Sequence, residues 1–497
     1  MTAAASGAVS AATPATAAGD ATRRPPLPLG FTVTLNRLVR IRDNGRTLVG
    51  GAPTRVLYLT EAAQAMLRSR TVRVTDARTA ALADRLLEAG MADPVVAQLP
   101  KADETLLTYV IPVRDRPTAL DRVLESIGGG ATVLVVDDRS EHPRAVADVA
   151  AAHGATVIAL SVNAGPGGAR NAGLAQVGTP FVAFVDSDIV VEPGCMQLLL
   201  RHFADERVAM ASPRVLALAV EGEEVRAGWI SRYEEARSSL DLGRYPAIVR
   251  PRAPVSWVPS ATLVARVSAI RGGFSAELRV GEDVDLVWRL AETGWRVRYE
   301  PAAEVRHEHR VHLGDWMLRK AVYGTGSYEL GQRHPGDIAP VILSPWSAAL
   351  VAAVLAQRRW SAPVAAGLMV VTALRLSRKV SSSDHPYRLA ATLTASGTVA
   401  ALSQTVALIV RHWWPLTVIG CVFSSRIRRA TLAAVLVDGV VEYVRTGRAV
   451  RDVARLDPVR FTLARRLDDL AYGAGVWFSA VRGRSFAALL PDVRRKR

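Results

Sequence analysis

The hydrophobic and polar positions change rhythm several times along the chain. From Phe31 the run FTVTLNRLVRIRD alternates apolar and polar side chains, the period of a strand with one buried face. Asn44-Gly45 follows as a hairpin-turn pair, and TLVGG and RVLYL read as further strands. Thr60 stands directly before EAAQAMLRS, where its side-chain oxygen can cap a helix start. DARTAALADRLLEAG reads as a second helix, ending at Gly90, and MADPVV as a short return. Residues 29–97 are therefore expected to form a small α+β module with a winged-helix-like layout.

A different rhythm begins near Leu106. LLTYVIPV, TVLVVDD, ATVIALS and PFVAFVDSD are near-continuous apolar runs, as strands buried on both faces tend to be. TALDRVLESI, HPRAVADVAAAHG and GPGGARNAGLAQV lie between them with helical character. That alternation predicts a doubly wound, Rossmann-like α/β domain over residues 105–312. Residues 313–337 read as a linker with the makings of a lid, in which Trp316 and the segment from Arg319 to Gly326 would cover a bound diphosphate.

From Ile338 onward, apolar stretches such as IAPVILSPWSAALVAAVLAQ and YRLAATLTASGTVAALSQTVALIV alternate with basic pairs such as Arg358-Arg359 and Arg378-Lys379. Two of the stretches approach the roughly 20 apolar residues that a membrane span needs. Residues 338–497 are expected to be a helical region that spans or lies on the cytoplasmic face of the cell membrane; a buried helical bundle is the alternative. Residues 1–28 are an Ala/Thr/Ser-rich tract with too few large apolar side chains to build a core, and are expected to be disordered. They lack the basic and apolar segments of a secretion signal.

Charge narrows the partners. Lys and Arg number 62 against 46 Asp and Glu, a net charge of +16, which suits nucleic acid, an anionic membrane or nucleotide phosphates. The basic residues are spread rather than clustered on one helix, which argues against nucleic acid. The two cysteines, Cys195 and Cys421, are far apart and imply neither a disulfide framework nor a Cys-based zinc site.

The candidate chemistry gathers at strand ends, where open α/β sheets bind ligands. Pro112 and Arg114 close the first strand of the domain, and Asp137-Asp138 the second, where a carboxylate can accept from a nucleobase N–H. NAGPGGARN brings Gly168 and Arg170 to a helix start. There, free N–H groups favour an anion, and the guanidinium adds a charge for a phosphate or a salt bridge. Asp186-Ser187-Asp188 ends the fourth strand, and two carboxylates so spaced can share a hard cation with a diphosphate. A bare DxD is common by chance; its position gives it force. Glu282-Asp283 opens a later helix, either complementing its dipole or supplying a general base. In His307-Glu308-His309, one or both imidazoles are candidates to complete a metal shell.

VIPVRDRP, VVDDRS, NAGPGGARNAGL, FVDSD, GGFSAELRVGEDVDLVWRLAETGWRVRY and HEHR together resemble the inverting family 2 glycosyltransferases of GT-A fold. The resemblance covers about 200 residues. It implies that Asp138 binds the uracil of a UDP-sugar donor, with Pro112, Arg114, Gly168, Arg170 and Ser187 also lining the donor. It implies that Asp186 and Asp188 bind the donor and Mn²⁺ or Mg²⁺; His307 and His309, read from their position, are the candidates for further ligands. Asp283 would be the catalytic base, with Glu282 beside the acceptor. The Q/RxxRW motif of processive polysaccharide synthases is not found after HEHR. Residues 29–97 resemble PqqD-like peptide-recognition modules. Fused to a family 2 enzyme with an apolar C-terminal region, they resemble the glycosyltransferases of mycofactocin biosynthesis. That resemblance implies transfer of glucose, as a β-1,4-linked chain, to a peptide-derived redox cofactor precursor. An edge strand at FTVTLNRLV would pair with the peptide by β-addition. A membrane-associated enzyme acting on a lipid carrier or cell-wall glycan is the alternative.

Overall fold

The alternating run at Phe31 folds as two short strands, because Asn36 turns the chain between them. Its side-chain oxygen accepts from Leu38 N–H at 3.0 Å, separating β1 (Thr32–Leu35) from β2 (Arg40–Arg42). β3 (Thr47–Gly50) and β4 (Arg55–Tyr58) complete an antiparallel sheet with β2. Helix α1 (Glu61–Met66) starts at the Thr60 cap, whose Oγ1 accepts from Ala63 N–H. Next come β5 (Thr71–Arg73), α2 (Ala77–Glu88), capped by Asp76 and Thr79, and β6 (Ala92–Pro94). The second sheet runs β5-β1-β6. β1 is thus central, with both edges paired, and the expectation that it offers a free edge to a peptide is corrected. Phe31, Val33, Leu48, Val72, Leu86 and Met91 fill the core beneath. The computed structural model describes residues 26–218, 228–308, 312–449 and 456–493, so the N-terminal tract through residue 25 and His309 lie outside the described residues.

The strand–helix alternation after Leu106 appears as β7 (Leu107–Val113), α3 (Pro117–Ile127), β8 (Thr132–Asp137), α4 (Pro143–Ala152), β9 (Thr156–Ala159), α5 (Gly165–Leu174) and β10 (Phe181–Val185). These strands are parallel, ordered β9-β8-β7-β10. Then follow β11 (Ile189–Val191), α6 (Cys195–Arg201), β12 (Val208–Ala217), α7 (Trp229–Arg237), β13 (Ala247–Val249), β14 (Thr262–Arg266), α8 (Glu282–Glu292) and β15 (Arg296–His307). They extend the sheet to nine strands, β11-β15-β12-β14-β10-β7-β8-β9, with β13 on β15. β14 runs antiparallel to both β10 and β12. The sheet is therefore mixed beyond its parallel half, and the fold is α/β of GT-A type. The chain reverses its direction of winding at β7, so a crevice opens at the carboxyl ends of β7, β8 and β10. Gly173 lets α5 approach that part of the sheet, since a Cβ there would overlap Val110 on β7.

Helices α9 (Leu313–Thr325) and α10 (Ser327–Arg333) follow, then β16 (Ile342–Leu343), α11 (Pro345–Ala356), α12 (Ser361–Lys379) and α13 (Pro386–Ala407). After a π-turn come α14 (Trp414–Phe423), α15 (Ser425–Ala449), α16 (Pro458–Arg482) and β17 (Asp492–Val493). The segment 313–337 is packed rather than lid-like. The Trp316 indole N–H donates to Glu234 at 2.7 Å, and Lys320 Nζ pairs with Glu234 at 2.8 Å. Among the described residues one helix, Pro386–His412, is long and apolar enough to cross a membrane.

Candidate active site

Two sharp turns shape the β7 and β8 ends of the crevice. Asp115 and Arg139 both take positive φ, 55° and 61°. Asp115 accepts from Glu141 N–H at 2.6 Å, and its own N–H donates to Ser140 Oγ at 2.9 Å. The two strand-end loops are thereby laced together. Asp137 turns back into the loop, accepting from Ser140 N–H at 2.9 Å. Asp138, also buried, accepts from Ala164 N–H at 2.6 Å, which fixes the entry to α5. Pro112 is partly buried and Arg114 exposed beside them.

Arg170 on α5 is the hub. Its side chain is 2 % exposed, yet it donates to Asp186 Oδ1 at 2.5 Å and to Glu282 Oε1 at 3.0 Å. One guanidinium thus ties the end of β10 to the start of α8. Its charge is raised in affinity for the proton by both carboxylates against the opposing effect of burial. The Phe274 ring lies 5.4 Å from the guanidinium carbon. Arg170 is therefore the salt bridge of the two roles its sequence context allowed, and it is closed off from a phosphate. Glu282 is corrected in the same way. It is buried and also accepts from Ser260 Oγ at 3.4 Å, so it braces the start of α8 rather than facing an acceptor.

Asp283, one residue on, is held differently. Its carboxylate accepts from Val284 N–H at 2.8 Å and from Ser260 N–H at 3.3 Å. Burial, with the adjacent Glu282 carboxylate adding to it, pushes its pKa up to about 7 despite Arg170 nearby. A carboxyl group titrating there can exchange a proton near neutrality.

Asp188 sits at the far end of the DxD turn. Its Oδ2 accepts from Arg116 Nη1 at 2.8 Å, and its Oδ1 lies 3.6 Å from His307 Nε2. Sheet register brings these together: β11 pairs antiparallel with β15, matching Ile189 to His307. Ser187, between the two aspartates, is buried. Of the expected metal set of Asp186, Asp188, His307 and His309, the described residues include the first three. Among the described residues no group of three or more His, Cys, Asp or Glu is gathered closely enough to hold an ion. Asp186 is turned to Arg170 instead, whereas Asp188 and His307 do face one another. A carboxylate and an imidazole fit a cation whose remaining ligands are substrate oxygens.

Arg116 and Ser260 take part in the site without having been singled out in the sequence. Arg116 lies in the first strand-end loop, so its position gave a signal. Ser260 acts mainly through its backbone, and its residue type carries none. His334 is a third such residue: it bonds Asp285 at 3.1 Å and Glu292 at 2.9 Å, clamping α10 to α8.

A mixed sheet with carboxylates at successive strand ends is compatible with many enzymes; the relatives in sequence supply the class, a glycosyltransferase. The family models "Glycosyl transferase family 2" and "Glycosyl transferase family group 2" match residues 108–248 and 181–437. The chain is 42% identical to the pre-mycofactocin glycosyltransferase of Mycobacterium tuberculosis, over 94% of this chain and 99% of that one. It is 27% identical to the succinoglycan biosynthesis protein ExoO of Rhizobium meliloti, over 40% of this chain and 59% of that one. A solved mannosyltransferase from Pyrobaculum calidifontis, in complex with GDP-Man and Mn²⁺, aligns with TM-score 0.35 and 17% identity, covering 62% of this chain and 90% of that one. The chain belongs to the pre-mycofactocin glycosyltransferases, within glycosyl transferase family 2.

Proposed function

We propose that the protein transfers a hexosyl unit, glucose, from a UDP-sugar to premycofactocin, the peptide-derived redox cofactor precursor, with inversion, and builds a β-1,4-linked chain. The observation that carries this reading is the Arg170 brace, which ties the DxD turn at Asp186 to the helix that starts at Glu282-Asp283. Donor and base groups are so held in one frame. Asp138, with Pro112 and Arg114 nearby, faces the uridine, and Gly168 and Ser187 line the path of the diphosphate. Asp283 removes the proton from an acceptor hydroxyl. That oxygen attacks the anomeric carbon from the face opposite the departing UDP, so the configuration inverts. A pKa near 7 lets the group be ionised at working pH and still basic enough to take the proton. Asp188 and His307 would hold a Mn²⁺ or Mg²⁺ ion, which when bound neutralises charge on the leaving diphosphate.

The test is UDP release from UDP-glucose with and without the peptide acceptor, in Mn²⁺ and in EDTA. Asp283→Asn should lower transfer to peptide by about 10²–10⁴-fold while leaving UDP-glucose binding measurable, and EDTA or Asp188→Ala should reduce turnover. Undiminished turnover in EDTA sinks the metal assignment; undiminished transfer by Asp283→Asn sinks the base.

The protein is further read as working at the cytoplasmic face of the cell membrane, through its C-terminal helices, since Pro386–His412 is apolar and only 33% of its most hydropathic window is buried. The same observation favours the second reading, transfer to a lipid carrier. Deleting residues 1–97 separates the two: lipid glycosylation would survive, and peptide glycosylation would not.

A further inference from the structure

Helix α15 is built inside out. Its acidic side chains point into the protein: Asp438 pairs with Arg465 at 2.6 Å and Glu442 with Arg237 at 3.2 Å. Its outer side instead presents Leu432, Leu436 and Val440, which are 60, 56 and 62% exposed. Residues four apart share one face of a helix, so these form a single stripe. Helix α14, which packs against α15, continues the apolar surface with Val422 and Phe423, 69 and 84% exposed. At the corner between the two helices stand Arg426, Arg428 and Arg429, and Arg428 Nη1 donates to the Cys421 carbonyl at 2.8 Å, closing the turn.

Water is a poor solvent for this surface. Each large apolar side chain left exposed forgoes about 1.5–3 kcal/mol of burial, and contiguous apolar patches mark protein or membrane contacts. The other side of the same helix carries Asp438 and Glu442 against Arg465 and Arg237, so α15 is apolar on one side only, unlike a helix that crosses a bilayer. The helix would therefore lie along a membrane surface, not cross it. The arginines decide between the remaining occupants. A second copy docking two-fold on this corner brings like charges together, whereas anionic headgroups complement them. The net charge of +16 acts in the same sense over longer range.

We infer that the α14–α15 corner is a wedge that seats on an anionic phospholipid surface. Phe423 and Leu436 lie at the acyl boundary, and Arg426, Arg428 and Arg429 lie among the phosphates. The inference rests on the membrane reading above and locates the contact. The test is co-sedimentation of the full chain with vesicles of phosphatidylglycerol and phosphatidylcholine, against phosphatidylcholine alone. Wild type should partition at least tenfold more strongly to the anionic vesicles. Phe423→Glu/Leu436→Glu and Arg426→Glu/Arg429→Glu should each lose on the order of tenfold, with UDP-glucose hydrolysis unchanged. Absence of wild-type binding to either vesicle overturns both the wedge and the membrane reading. Binding that both variants retain overturns the wedge alone and moves the contact to another surface, such as Pro386–His412. A wild-type dimer seen by light scattering and dissolved by Phe423→Glu/Leu436→Glu also overturns it, in favour of a second copy.

Discussion

At Asp283, function and stability pull in opposite directions with pH. Its folded pKa, about 7, lies above the ordinary carboxyl value of 3.8. The folded state therefore binds this proton more tightly than the unfolded chain does. The resulting stabilisation is full below about pH 4 and is lost as pH rises through about 7. In the proposed role of base, by contrast, Asp283 works only when ionised, so kcat should rise with pH through about 7. Asp283→Asn is expected to lower transfer by about 10²–10⁴-fold and to raise Tm at pH 8 by roughly 2 °C or more, with little change at pH 4. Thermal melts and a pH–rate profile check both. Arg170 carries the opposite lesson. Removing it as Arg170→Met leaves Asp186 and the buried Glu282 without their shared cation. A cost of about 3–5 kcal/mol is expected, and the Lys variant should recover part of it. Denaturant unfolding of the two variants, side by side, measures this.

Between elements, two contacts leave no slack, one of them at the site. Pairing of β11 with β15 sets His307 against Asp188; a slip of one residue would turn the imidazole to the other face. Helices α9 and α16 approach so closely that a Cβ on Gly475 would overlap the Ala321 carbonyl, and one on Gly324 the Tyr472 carbonyl. Gly475→Val should therefore separate the helices and destabilise the chain by about 1–3 kcal/mol or more, seen as a lowered Tm. Loss of Lys320 from its pair with Asp468 on α16 should follow, because that pair spans the same approach.

Across the whole molecule, Asp84 couples the N-terminal module to the catalytic sheet. It lies 2.7 Å from Arg207 and 2.6 Å from Arg296, and Arg296 is itself buried and paired with Asp205 at 2.8 Å. Asp84→Ala strips one partner from a buried guanidinium. It should loosen the module, expose the 95–106 connection to proteolysis and lower peptide-directed transfer more than donor hydrolysis. Equal loss of both activities would mean that the module serves the fold of the catalytic domain rather than acceptor delivery.

Much of this was readable from the residues in order. Short apolar runs bounded by turn residues specify buried strands between Leu107 and Val185, and a strand's carboxyl end is where its loop must begin. The parallel half of the sheet and the strand-end positions of Asp138, Asp186 and Asp188 follow from that local grammar, whereas the family was legible only through the resemblance of the motifs, Asp283 among them. Tertiary structure decided what depends on partners distant in sequence. Arg170 is an open phosphate ligand or a closed strut according to whether Glu282, 112 residues away, reaches it. β1 is an edge or a centre according to whether β5 and β6 both find it. The antiparallel β14 and the outward apolar face of α15 were hidden for the same reason. A side chain's periodicity tells which face it occupies, but only the packed neighbours tell whether that face meets protein, water or lipid.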